Sequence, residues 1–142
     1  MSGFFIIDTN VVAGLLTGHA DSPVARILDS MLSAAFAFVV SEALLAEYRA
    51  VLLRPKLCKL HGLSEAEVDA ILTDIARHAI ELKPASSGTN PKAPDAGDQF
   101  LWDLLASRAD LVLVTGDKLL LQDLGMQARV MLPQVFAGRF LH

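Results

Sequence analysis

Four carboxylates, Asp8, Glu47, Asp98 and Asp117, stand where a charged side chain needs a reason. Asp8 ends the apolar run Phe4-Phe5-Ile6-Ile7, and Asp117 follows the run Leu111-Val112-Leu113-Val114 after Thr115 and Gly116. Glu47 lies among Leu44, Leu45, Val51 and Leu52, and its spacing from Leu44 and Val51 puts it on their face of a helix. Asp98 leads into the apolar positions Leu101, Trp102, Leu105 and Ala106. A carboxylate on an apolar face is costly unless a partner or a metal ion takes up its charge. Four of them make an all-oxygen donor set that suits Mg²⁺ or Mn²⁺, while the absence of clustered His and Cys argues against zinc. An ion so held polarises a phosphoryl oxygen and activates water, so phosphodiester hydrolysis is the expected chemistry. Singly, three of these acids have plainer explanations. Asp8 and Asp117 suit helix N-caps, and Glu47 suits a boundary residue that reaches water or pairs with Arg49 or Arg54.

The elements that must position these residues follow from the apolar pattern. Short apolar runs bounded by turn residues read as buried strands of a parallel sheet; here they are Phe4–Ile7, Phe36–Val40, Ala79–Leu82, Leu111–Val114 and Ala128–Leu132, the last ended by Pro133. Between them, helical spacing predicts a short helix from Val11 to Leu16 ended by Gly18, and another over 22–34 with Val24, Ile27, Leu28, Met31 and Leu32 inward. Ser41 caps a helix reaching about Leu53, with Pro55 marking its end. Ser64 and Glu67 form a capping box for a helix reaching about His78. Further helices are expected over 96–109 and 118–124. Lys83–Gly97 is a long Pro-, Ser- and Gly-rich segment, of the kind that is functional or mobile in compact domains. Alternating strands and helices predict an α/β fold, a three-layer α/β/α sandwich with a mainly parallel sheet and right-handed crossovers. In such sheets ligands bind beyond the carboxyl ends of the strands, where Asp8 and Asp117 are expected.

The length of 142 residues fits one domain spanning 1–142, and 53% apolar residues exclude disorder. No apolar stretch is long enough to span a membrane, and Asp8 interrupts an N-terminus that has no basic region, so no signal peptide is expected. The single cysteine, Cys58, is read as a packed thiol, and an intracellular, cytoplasmic setting follows as the expectation. The net charge of −4 argues against a general nucleic-acid binder, but with the four acids set aside the remaining 12 equal the 12 Lys and Arg. No acid lies between Glu47 and Glu65, whereas Arg49, Arg54, Lys56, Lys59 and His61 do. Arg54, Lys56 and Lys59 are therefore candidates for contacts to phosphates, or equally a solvated basic face. Trp102 is expected in the core rather than on a dimer face, the C-terminal Phe136, Phe140 and Leu141 on the sheet edge, and His19, His61, His78 and His142 are too scattered to bind metal.

Several segments together carry a family likeness: Ile6-Ile7-Asp8-Thr9-Asn10-Val11, then Ser41-Glu42-Ala43-Leu44-Leu45-Ala46-Glu47-Tyr48 with Leu53-Arg54-Pro55-Lys56-Leu57, then Asp95-Ala96-Gly97-Asp98, and Val114-Thr115-Gly116-Asp117-Lys118-Leu119-Leu120. In order and spacing over nearly the whole chain they resemble PIN-domain proteins, in particular the VapC-like toxin components of bacterial toxin–antitoxin systems. The resemblance implies a Mg²⁺- or Mn²⁺-dependent ribonuclease, often a homodimer and neutralised by a cognate antitoxin protein. It matches Asp8, Glu47, Asp98 and Asp117 to the family's metal-binding acids, Thr115 to the hydroxyl beside the last acid and Asn10 to the polar residue after the first. Asp95 competes with Asp98 for the third position; Asp98 is preferred because the apolar face of its helix continues from it. Two other classes fit parts of the pattern. A phosphatase or receiver protein would phosphorylate Asp8, although Asn10 stands where haloacid dehalogenase-type phosphatases carry a second Asp. A catalytically silent RNA-binding module would keep the fold without turnover.

Overall fold

In the computed structural model, residues 3–17, 23–84 and 90–141 are described, with the side chains at 15–17, 23 and 24 excepted. The expected stop at Gly18, Val24 as a core position, His19, His142 and the middle of the Lys83–Gly97 segment lie outside them. The strands are β1 (Phe4–Ile7), β2 (Val39–Val40), β3 (Ile80–Glu81), β4 (Leu111–Val114) and β5 (Val130–Met131). All pair in parallel: β1 with β4, β4 with β5, and β2 with β3. A parallel bridge from Phe5 to Phe38 joins the two groups, giving the order β3-β2-β1-β4-β5. Ile6, Ile7, Val39, Val40, Leu113 and Val114 are fully or almost fully buried, as strands covered on both faces require.

The helices are α1 (Thr9–Thr17), α2 (Pro23–Leu32), α3 (Glu42–Leu52), α4 (Pro55–His61), α5 (Glu65–His78), α6 (Gln99–Ala106), α7 (Lys118–Leu121) and α8 (Pro133–Phe140). The architecture is the expected α/β sandwich. The caps at Ser41 and the Ser64–Glu67 capping box form as the sequence predicts. Two helices escaped prediction for one reason. By sequence Pro55 and Pro133 are expected as stops, yet each is the first residue of a helix, where its missing N–H costs nothing and its φ is already helical. The helix expected over 96–109 divides into a 3₁₀ turn, Ala96–Asp98, and α6. Phe136 is fully buried and meets Phe5 and Phe36 edge-on at centroid distances of 4.7 and 4.9 Å, so α8 covers the sheet rather than only its edge. Trp102 is fully buried, as expected. Arg129 donates to the carbonyls of Leu105, Arg108 and Leu111, tying the end of α6 to the start of β4. Among the described residues no helix is long and apolar enough to cross a membrane.

Candidate functional site

The strand order places β1 between β2 and β4, with the chain leaving β1 toward β2 and later returning to the other side through β4. A crevice opens at such a switch point beyond the carboxyl ends of the strands. Asp8 follows β1 directly, and its N–H donates to the carbonyl of Val114 at 2.9 Å, so the ends of β1 and β4 are locked together there. Its side chain is buried. Oδ1 accepts the Thr9 N–H at 2.7 Å and Oδ2 accepts the Thr115 hydroxyl at 2.7 Å. Burial raises its pKa, the Thr115 and Thr9 bonds oppose that, and the charges of Asp117 and Glu47 add to it.

Thr115 is the hub of the crevice. Fully buried, its hydroxyl donates to Asp8 and accepts the Asp117 N–H at 3.0 Å and the Asn10 Nδ2–H at 3.4 Å. Asn10 returns with Oδ1 accepting the Gly116 N–H at 3.4 Å. Asp117 caps α7, Oδ1 accepting the Leu119 N–H at 2.9 Å. The N-cap reading of Asp117 is therefore correct in geometry, and it leaves Oδ2 without a partner among the described residues.

Glu47 lies half-buried on α3, one residue before the fully buried Tyr48. The ion-pair explanation for Glu47 does not hold: Arg49 binds Glu65 at 2.7 Å and Asp69 at 2.9 Å, and Arg54 is unpaired among the described residues. Tyr48, singled out by sequence only as part of a motif, donates its hydroxyl to the carbonyl of Ile7 and so fastens α3 to the end of β1 beside Asp8. The phenol is pushed well above its usual pKa by burial and by the Asp8 charge, so it remains a donor.

Asp98 and Asp95 differ in setting. Asp95 is exposed and caps the 3₁₀ turn, accepting the Gly97 N–H at 2.9 Å. Asp98 is half-buried at the head of α6 and makes no side-chain capping bond. Its pKa is raised to about 6, first by burial and then by the charges of Asp8, Asp117, Asp95 and Glu47. The like charges of four other carboxylates thus reach Asp98, and those of Asp117 and Glu47 reach Asp8. Arg54, Lys56 and Lys59 are exposed on or beside α4, which packs on α1. Missed by sequence is a polar clamp: Gln99 and Asp103, one turn apart on α6, bind the chain at Asn90–Ala93. Their i,i+4 spacing was the available signal.

The donor set fits a hard cation, being all carboxylate oxygen with uncompensated repulsion that a cation would relieve. The buried hydroxyl oxygen of Thr9, next to Asp8, also lacks a hydrogen-bond partner among the described residues. As they stand, no three or more His, Cys, Asp or Glu side chains among those residues are arranged to hold an ion. Mg²⁺ commonly takes one or two carboxylates directly and completes its shell with water and substrate phosphate, so a closed cage is not required. The sequence model of one family, described as PIN domain, matches residues 5–119. No curated protein and no solved structure gives a match. The chain, with its parallel α/β sheet and that match over most of its length, belongs to the PIN-domain family, whose fold is generally that of a nuclease.

Proposed function

We propose that the protein is a Mg²⁺- or Mn²⁺-dependent endoribonuclease and the toxin of a toxin–antitoxin pair, a homodimer neutralised by a cognate antitoxin protein. The observation that carries the nuclease reading is the joining of Asp8 to the Asp117 turn through the buried Thr115 hydroxyl at the switch point of the sheet, with the charges of Glu47 and Asp117 reaching both Asp8 and Asp98. In this reading those four residues would hold the ion, with Asp98 rather than Asp95 as the third ligand, since Asp95 is exposed and committed to its own turn. The bound ion would supply Lewis-acid activation of water and of the scissile phosphate. The chain's own part is positional. Thr115 and Asn10 fix the Asp8 carboxylate against the Asp117 loop, and Tyr48 sets the depth of Glu47 relative to β1. Arg54, Lys56 and Lys59 would hold the RNA backbone electrostatically.

The test compares wild type with Asp8→Asn on labelled RNA in Mn²⁺, Mg²⁺ or EDTA. Cleavage by wild type in Mn²⁺ or Mg²⁺, lost in EDTA and in the variant, is expected. Equal cleavage by both proteins would mean a contaminating nuclease and would sink the mechanism. The toxin role is read from growth after induced expression. Arrest by wild type, relieved by Asp8→Asn, is expected; normal growth on wild-type induction would leave an RNA-processing enzyme instead.

A further inference from the structure

We propose that the cavity between the first turns of α3 and α6 is a nucleobase subsite, taking a base that flanks the scissile phosphate and favouring bases with an exocyclic amino group. The inference rests on the ribonuclease reading above. The cavity measures about 370 Å³, within the span of about 300–1,000 Å³ usual for small-ligand sites. Its walls are Ser41 and Glu42 just beyond β2, Leu82 and Lys83 just beyond β3, and Phe100 and Asp103 on α6. It therefore opens at the same carboxyl edge of the sheet as the acids. The two helices that frame it also carry Glu47 and lead off from Asp98, two residues before Phe100.

The lining has the parts that base recognition needs. Phe100 is half-buried and offers an aromatic ring on which any base can stack. Asp103 is a fixed acceptor: its Oδ1 accepts from Asn90 Nδ2 and Gln99 Nε2, each at 3.0 Å, and no described residue donates to Oδ2. Gln99 is itself held by the Ala93 N–H and the Pro91 carbonyl, both at 2.9 Å, so the carboxylate stands on a braced helix turn. A carboxylate oxygen accepts from an exocyclic amino group, as on cytosine N4. Uracil instead flanks its single N–H with two carbonyl oxygens, which a carboxylate repels. Exposed Lys83 at the rim carries a cation for the phosphate that leads away from the base.

The experiment measures kcat and KM on short RNAs that share one cut site and differ by a single base (A, C, G or U) at each flanking position, in Mn²⁺, with Asp8→Asn as blank. Wild type is expected to prefer an amino-bearing base over U at one position by about tenfold or more. Asp103→Asn keeps the bonds at Oδ1 and puts a donor in place of Oδ2, so it is expected to shift that preference toward U. Phe100→Leu is expected to raise KM about tenfold for every base. Equal cutting of all four bases by wild type, or an unchanged preference in Asp103→Asn with an unchanged KM in Phe100→Leu, would overturn the subsite and leave the nuclease standing. Absence of metal-dependent cutting by wild type would overturn both.

Discussion

Thr115 joins Asp8 and Asp117 through a single hydroxyl, and that bond explains why Asp8 and Asp98 respond differently to the same neighbours. The Thr115 and Thr9 bonds favour the charged form of Asp8 and offset part of its burial. Asp98 has no such donor, and burial with four like charges lifts it to about 6. At Asp98 the folded protein therefore holds its proton to higher pH than the unfolded chain, and the contribution of this group to stability falls as pH rises between about 4 and 6. Above it the cost of the charged Asp98 is fully present. Removing the charge should then stabilise the metal-free protein while ending catalysis. In EDTA at pH 7.5, Asp98→Asn is expected to gain about 1 kcal/mol once solvent screening of a half-exposed group is allowed for. That is a rise of a few degrees in Tm, vanishing near pH 4. A Tm in EDTA that is equal to wild type or lower at pH 7.5 would refute the crowding of charge at this corner.

At the scale of elements, the site depends on ties that hold helices to strand ends. Asp8 and Asp117 were legible because an apolar run that stops on an acid is a local pattern. Glu47 was legible because helical periodicity exposed a charge among leucines. Pattern favours Asp98 over Asp95 only through the apolar face that continues from it, since both precede one helix; in space they differ in that Asp95 bonds to Gly97 within its own turn, while Asp98 makes no capping bond and feels the charges of Asp8, Asp117 and Glu47. Helices α4 and α8 were missed because Pro is both a good stop and a good first residue, and only the three-dimensional path decides which. Long-range ties such as Tyr48 to Ile7 and Arg129 to three carbonyls have no sequence period to reveal them. Arg129 should matter most for stability. Arg129→Met keeps much of the stem but leaves the Leu105, Arg108 and Leu111 carbonyls unpaired, at an expected cost of about 2–3 kcal/mol. Urea unfolding would read this as a lower midpoint with an unchanged slope. A midpoint within error of wild type would mean that water satisfies those carbonyls instead.

For the molecule as a whole, the net charge of −4 looks ill suited to a polyanionic substrate. Its layout resolves the conflict. Asp8 and Asp98 each feel the charges of Glu47 and Asp117, and in the proposed reading a divalent cation held there would turn the site from repulsive to attractive for phosphate. Meanwhile Arg54, Lys56 and Lys59 stand exposed with no ion-pair partner among the described residues, while Arg49 and Arg108 are each neutralised by neighbouring acids. Free cations, unlike paired ones, release counterions from RNA when they bind it, and each contributes to the salt dependence of affinity. Replacing all three with Ala is therefore expected to weaken binding of single-stranded RNA at low salt. The slope of log affinity against log salt should become shallower by about 2, at about 0.7 per lost phosphate contact. Measuring binding with Asp8→Asn in Ca²⁺ keeps the RNA intact across the titration. If the slope is unchanged in the triple variant, the RNA path does not cross α4 and the basic segment is a solvated face. A steep slope that survives in the triple variant but falls when Lys83 is replaced would move the path to the mouth of the cavity between α3 and α6.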